Sequence, residues 1–215
     1  MADLLVAPCS YEAAKHAVLH WHYSQTMPTG KLVKFGVWEA GTFIGTVLYG
    51  RGANNRAMEA FGLDAVEGCE LVRVALRDHV TPVSQIVAVA LSALRRQSPG
   101  LRLVVSYADP DQGHHGGIYQ AGNWLYLARS QAQRGLVIGG REVHKRTADS
   151  LYGTASPERL RAITGKAVEW GPMRWKHVYV YPLDKGMRRR LSRLAQPYPQ
   201  RADEGSMVSR PGTSG

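Results

Sequence analysis

Cysteine is nearly absent. Cys9 and Cys69 are the only two in 215 residues, and they lie in different segments without ligand-like spacing. That excludes a disulfide framework and a zinc cluster, so both are read as reduced structural thiols of an intracellular protein. Long apolar runs are missing as well: no segment approaches the roughly 20 apolar residues of a membrane span. The N-terminus, with Asp3 and a short apolar run, lacks the basic-then-apolar pattern of a signal peptide. A cytoplasmic protein with no membrane partner is expected. Acidic residues are in short supply, 17 against 27 Lys and Arg, for a formal charge of +10. Such a balance suits an acidic partner such as nucleic acid. Half of the excess falls after residue 184, where seven Lys and Arg face two acids.

What the chain does have is a chemically dense stretch from Leu103 to Tyr126. A short apolar run ending at Ser106 places Tyr107 and Asp109 at the carboxyl end of a strand, where ligand crevices form in open α/β proteins. Gly113-His114-His115-Gly116 follows, and Gly116-Gly117 opens a predicted helix. Helical spacing sets Tyr119, Asn123 and Tyr126 on one face of it.

The remaining elements follow from caps, periodicity and breakers. Ser10 is a suitable N-cap for a helix through Trp21, with His22-Tyr23-Ser24 just past its end. Phe35 to Trp38 pairs with Thr42 to Tyr49 as a hairpin across Ala40-Gly41. Glu70 to Leu76 alternates as a central strand, putting Leu71, Arg73 and Ala75 on one side. Ser84 caps a helix carrying Val87, Leu91 and Leu94 that stops near Arg95-Arg96. Parallel pairing of strands 71–76 and 101–106 through that helix is the simplest packing. Val178 to Tyr181 is a closing strand, and the basic segment 141–176 has no clear period. Proline, glycine, serine and charge dominate after Pro197, so residues 197–215 are expected to be a disordered tail behind one domain at 1–196.

This order of elements is that of the GNAT acyltransferase fold: α/β, one mixed and mostly antiparallel sheet, with a central parallel strand–helix–strand unit flanked by helices. Taken together, several segments resemble the phage Mom family of DNA-modification proteins over about residues 18–182. They are His22-Tyr23-Ser24, Phe35-Gly36-Val37-Trp38-Glu39, Glu70-Leu71-Val72-Arg73, Ser84, Ser106-Tyr107-Ala108-Asp109, Gly113-His114 and Ile118 to Trp124. The resemblance implies a transferase that converts the N6 amine of adenine in phage DNA to a carbamoylmethyl derivative, shielding it from host restriction. It places the family's active-site residues at His22, Tyr23, Asp109 and Tyr119, and implies double-stranded DNA and an acyl-group donor as partners. Acetyl-CoA or a related acyl or aminoacyl donor is the implied cofactor, with a bound iron suggested as well. One departure concerns that donor. GNAT enzymes carry a glycine-rich pyrophosphate loop between the central strand and its helix, whereas here the connection Arg77 to Ser84 has no glycine.

Residue roles follow from chemistry. Asp109 is the candidate general base, with Tyr23, Tyr119, His22 and Tyr107 able to donate to a developing charge or stack on a base. Arg73 and Ser84 are assigned to the donor, since amides near Ser84 can receive an anion. Ser24, His114, Asn123, Trp124 and the Arg188-Arg189-Arg190 cluster are assigned to substrate, with Arg193, Arg141, Lys145 and Arg146 also suited to phosphate. His22, Asp109 and His114 would make a two-His, one-carboxylate iron site. Structural readings stand beside each: Asp109 as a turn cap, His22 as a helix cap, the tyrosine stripe as core, the arginines as solvated charge. Two further functions remain open, a general acetyltransferase for a protein or small-molecule amine and a non-catalytic basic DNA-binding protein.

Overall fold

The computed structural model describes residues 3–51 and 56–200. Strand β1 (Leu4–Pro8) leads into helix α1 (Tyr11–Trp21), whose N-cap Ser10 accepts from the Ala13 amide as expected. Strands β2 (Leu32–Glu39) and β3 (Thr42–Gly50) form the expected hairpin, and both turn residues, Ala40 and Gly41, take positive φ. Strand β4 (Gly68–Leu76), helix α2 (Val83–Gln97) and strand β5 (Leu103–Ala108) make the central unit. Helix α3 (Gly117–Ala121) and strand β6 (Leu125–Arg129) come next. An insertion then supplies β7 (Gln133–Ile138), β8 (Arg141–Val143), α4 (Lys145–Tyr152), α5 (Pro157–Thr164) and β9 (Val168–Arg174). Strand β10 (His177–Pro182) and helix α6 (Lys185–Ser192) are the last elements among the described residues.

The main sheet runs β1-β2-β3-β4-β5-β10-β6 and is antiparallel except at β4–β5, which is the GNAT-like arrangement that the order of elements predicts. That parallel pair is short. It joins Gly68, Cys69 and Glu70 to Leu103, Val104 and Val105 and no further, so the carboxyl halves of β4 and β5 splay apart. Helix α2 fills one face of the sheet with Ile86, Val87, Ala90, Leu91 and Leu94. The other face takes α1 through Ala14, Ala17 and Val18, and α6 through Met187 and Leu191. Burying the Ile, Val, Leu and Met side chains among these contributes about 1.5 to 3 kcal/mol each and holds the split strands in place.

Several expectations are corrected. The alternation along β4 is broken by a bulge: Leu48 faces Arg73 and Tyr49 faces Leu71, leaving Val72 as the extra residue. Leu71, Val74 and Leu76 therefore share the α2 face, while Val72 and Ala75 turn toward α1. Ser84 is not the cap of α2; Pro82 holds that position and offers no side-chain bond. Helix α3 has only five residues, so Tyr119, Asn123 and Tyr126 do not share a helical face. Asn123 sits in a left-handed turn at φ 56°, a conformation that Asn tolerates, and Tyr126 belongs to β6. The segment 130–176 is a three-stranded sheet, β8-β7-β9, over its own core of Leu136, Ile138, Ala148, Leu160 and Val168. Within the stretch expected as tail, the Tyr198 hydroxyl donates to the Trp124 carbonyl at 2.6 Å, and Gln120 donates to the Pro199 carbonyl. The rest of the expected tail, 201–215, lies outside the described residues. Among the described residues no helix is long and apolar enough to cross a membrane, and both cysteines are free thiols.

Candidate functional site

The splayed ends of β4 and β5 set the site. Tyr107 and Asp109 leave β5 on the face away from α2 and enter a cleft of about 550 Å³, walled by Glu70 of β4 and by Gly135, Arg174 and Lys176 of the insertion and its exit. Asp109 is only 18% exposed. One carboxylate oxygen accepts from the Asp111 amide at 3.1 Å and the other lies 3.2 Å from the Lys176 ammonium. The capping reading of this residue is thus met, and the capping bond with the lysine contact fixes where the carboxylate points. Arg174 bridges Asp111 at 2.5 Å and Glu142 at 2.7 Å, tying the insertion to the loop after Asp109. Tyr107 is half-buried on the cleft wall, and burial followed by the nearby Glu70 charge pushes its phenol up.

A second group gathers where α1 ends. His22 stacks on Tyr23, with centroids 4.3 Å apart, and Tyr23 meets the His114 ring edge-on at 5.6 Å. The Ser24 amide donates to His22 Nδ1 at 3.1 Å, and the Ser24 hydroxyl lies 2.8 Å from the same atom. An acceptor Nδ1 assigns the neutral ring's proton to Nε2. Burial first, then the Arg73 and His114 charges, lower the His22 pKa to about 4, so it is neutral at physiological pH. Arg73 gives one guanidinium nitrogen to the Val72 carbonyl, while its buried Nε finds no acceptor among the described residues. The bulge at Val72 is what turns this arginine away from the regular alternation.

Other expected site residues are placed differently. Tyr119 is 8% exposed on the α2 face, opposite to Tyr107 across β5, with its hydroxyl 2.8 Å from Ser106. Burial raises its pKa to about 12, so it is a proton donor or a packing group and not a base. Trp124 is wholly buried against Tyr119 and Tyr181, which removes it as a stacking platform for substrate. His114 is the exposed imidazole at Tyr23, whereas the His115 carbonyl is held by the Tyr179 hydroxyl at 2.7 Å. Gly116 has to be glycine: its φ is 93°, and a Cβ there would lie 2.2 Å from the Tyr179 ring. Arg190 donates to the Phe61 carbonyl and Arg188 lies over the Tyr181 ring, which leaves Arg189 as the outward member of that cluster.

The iron set is not assembled. Asp109 turns to Lys176, and no group of three or more His, Cys, Asp or Glu side chains among the described residues is placed to hold a metal ion. The donor chemistry of His22 agrees, because an Nδ1 that accepts from the Ser24 amide leaves the proton on Nε2, the nitrogen that would have to bind the metal. Coenzyme A fits no better at the start of α2. The Val80 and Thr81 amides, which would receive its diphosphate, are both taken by the Glu39 carboxylate at 2.8 and 2.7 Å. Ser84 has no side-chain hydrogen bond among the described residues, although it is half-buried beside that connection. Lys176 and Arg174 carried no signal in the sequence because the insertion has no readable period. Glu39 stood in plain view as the last residue of a strand, but its partners are some 40 positions away.

A model described as the Mom protein family matches residues 3–200. A protein named methylcarbamoylase Mom, from Escherichia phage Mu, is 26% identical over 206 residues, covering 92% of this chain and 84% of its own. Among solved structures, an N-acetyltransferase from Staphylococcus aureus is 13% identical with a TM-score of 0.49, over 85% of this chain and 99% of that one. The ribosomal-protein-S5-alanine acetyltransferase from Vibrio fischeri is 8% identical with a TM-score of 0.45, over 86% and 98%.

Proposed function

The chain belongs to the Mom protein family, and from that premise we propose that it is a transferase acting on the N6 amine of adenine in phage DNA. The product would be the carbamoylmethyl derivative, which protects the DNA from host restriction. The phage Mu relative's name, methylcarbamoylase, supports a transferred group of that kind. The observation that carries the reading is the Asp109 carboxylate, nearly buried and fixed at a strand end inside a cleft large enough for one extruded base.

In this reading the adenine leaves the stack and enters the cleft, with Tyr107 as the aromatic wall that offsets part of the unstacking cost of a few kcal/mol. Asp109 accepts a hydrogen bond from N6 and takes its proton as the new N–C bond forms. Lys176, 3.2 Å from one carboxylate oxygen, holds the side chain in position. The donor's leaving group departs with the electrons of the bond it loses. His22, from the group at the end of α1, would offer Nε2–H as a neutral donor to the charge that develops on the transferred group. Tyr23, Ser24 and His114 hold that imidazole in place, and Arg73 beside it supplies positive field.

Phosphate contacts fall to Arg189 and Arg193 on the end of α6 and to the basic insertion, where Trp170 is 47% exposed with the Lys145 ammonium 4.6 Å from its ring. The protein would work in the cytoplasm of the host. A general amine acetyltransferase is disfavoured by Glu39 in the anion position, and a non-catalytic binder by the fixed Asp109. Nucleoside mass spectrometry of DNA from cells expressing the chain is the test. A mass-shifted deoxyadenosine is expected with the wild type. Asp109→Asn should reduce it about a hundredfold or more with an unchanged fold. An unmodified nucleoside profile from the wild type, in cells that supply the donor, would refute the reading.

A further inference from the structure

Glu39 is the last residue of β2 and is paired on both sides, with Leu4 of β1 and Thr42 of β3. The following amide, of Ala40, is bonded to the Asp3 carbonyl at 2.8 Å. Its side chain is therefore delivered from fixed backbone and not from a loop. It reaches the connection between β4 and α2, where one oxygen accepts from the Val80 amide at 2.8 Å and the other from the Thr81 amide at 2.7 Å and the Thr81 hydroxyl at 2.5 Å. Glu39 is 9% exposed and Thr81 7% exposed. These bonds hold the Glu39 carboxyl below the usual carboxylate range, so it is ionised at physiological pH. Pro82 brings no N–H to the N-cap of α2. The convergent donors at this end of the helix are satisfied by the chain's own anion.

The start of a helix after a strand is a natural receiver for phosphate, through free amides and the helix dipole. Here those features are present and already occupied. A diphosphate brought to the remaining amides at Val83 and Ser84 would meet the fixed negative charge of Glu39, which is a like-charge contact in a partly dry setting. We propose that Glu39 is a built-in plug of the anion cradle, so that the donor of this protein is not held through a diphosphate at the start of α2. The donor then has to be recognised through the part that carries its reactive carbon. This inference rests on the transferase reading only for the word donor; the binding it concerns is measured without DNA and without turnover.

Calorimetric titration of the full-length chain with coenzyme A, pantetheine and inorganic pyrophosphate tests it. In the wild type, pyrophosphate should not bind, and coenzyme A should bind no more than about twofold tighter than pantetheine, which lacks the diphosphate. Glu39→Ala should gain affinity for pyrophosphate and prefer coenzyme A over pantetheine by about tenfold. Glu39→Asp, one methylene short of the amides, should show the same gain in weaker form. A wild type that prefers coenzyme A by tenfold, or a folded Glu39→Ala that gains nothing, would overturn the proposal. Should both variants fail to fold, amide exchange in the wild type decides: protection at Val80 and Thr81 unchanged by saturating coenzyme A supports the plug, and a changed rate at either amide refutes it.

Discussion

His22 shows how one backbone bond sets the chemistry of a side chain. The Ser24 amide points at Nδ1, so protonating that atom would break the bond and place a charge beside Arg73 in a half-buried position. With a folded pKa of about 4 against 6.5 for the free ring, the folded chain binds fewer protons than the unfolded one between those values. Stability is complete above about pH 6.5 and drains as pH falls toward 4, by about 1 to 2 kcal/mol once screening of the exposed half of the ring is allowed for. His177, lowered by burial and by the nearby charges of Arg129 and His115, adds in the same direction. Melting temperatures recorded from pH 7.5 to 4 should fall less steeply for His22→Gln than for the wild type. Superimposable profiles would mean that the ring already titrates freely in the fold. At this scale the sequence was partly legible: Tyr107 and Asp109 do line the cleft at the end of β5, and His22 and Tyr23 do meet His114 where α1 ends. Lys176 and Glu39 were not legible, because a lone lysine in an aperiodic segment and a strand-end glutamate acquire meaning only from partners remote in the chain.

At the scale of elements, what was readable is what local rules govern. The Ser10 cap, the Ala40-Gly41 hairpin and the apolar face of α2 each follow from residues within a few positions of one another. What escaped is set by contacts at long range. The bulge in β4 exists because Val72 has no partner in β3, a matter of register between strands. Helix α3 stops at Ala121 because Gly122 and the left-handed Asn123 turn the chain so that Trp124 can bury itself under Tyr181. The C-terminal boundary is of the same kind. Tyr198 lies in a stretch whose composition reads as disorder, yet its hydroxyl closes onto the Trp124 carbonyl and its ring lies near Tyr179. Truncation after Gln200 should leave thermal stability unchanged. Truncation after Gln196 should cost about 1 to 2 kcal/mol through the lost hydrogen bond and ring contact. Equal melting temperatures for the two truncations would return residues 197–200 to the tail.

For the whole molecule, the excess of positive charge is divided between α6 and the inserted sheet, and under the proposed function the two should contribute to DNA binding by different physics. Arg189 and Arg193 are exposed, and neither is held in an ion pair among the described residues, whereas Arg188 and Arg190 are engaged by Tyr181 and Phe61. Contacts from Arg189 and Arg193 to phosphate release counterions, and each contributes about 0.9 to the slope of log affinity against log salt on duplex DNA. Replacing both by Ala should flatten that slope by about 1 to 2 while leaving the melting temperature alone. Under the same proposal Trp170 would work through its face. With Lys145 over the ring and nearly half of the side chain exposed, it would offer a stacking surface on β9, the strand that ends in Arg174 at the cleft. Its replacement by Ala removes no charge, so affinity should drop by about 1 to 2 kcal/mol at every salt concentration with the slope preserved. The two variants therefore separate in one titration series: a changed slope marks the arginines, and a parallel displacement marks the tryptophan. A flat response from both would place the DNA on another face of the protein, and a changed slope for Trp170→Ala would show that its role is to position Lys145.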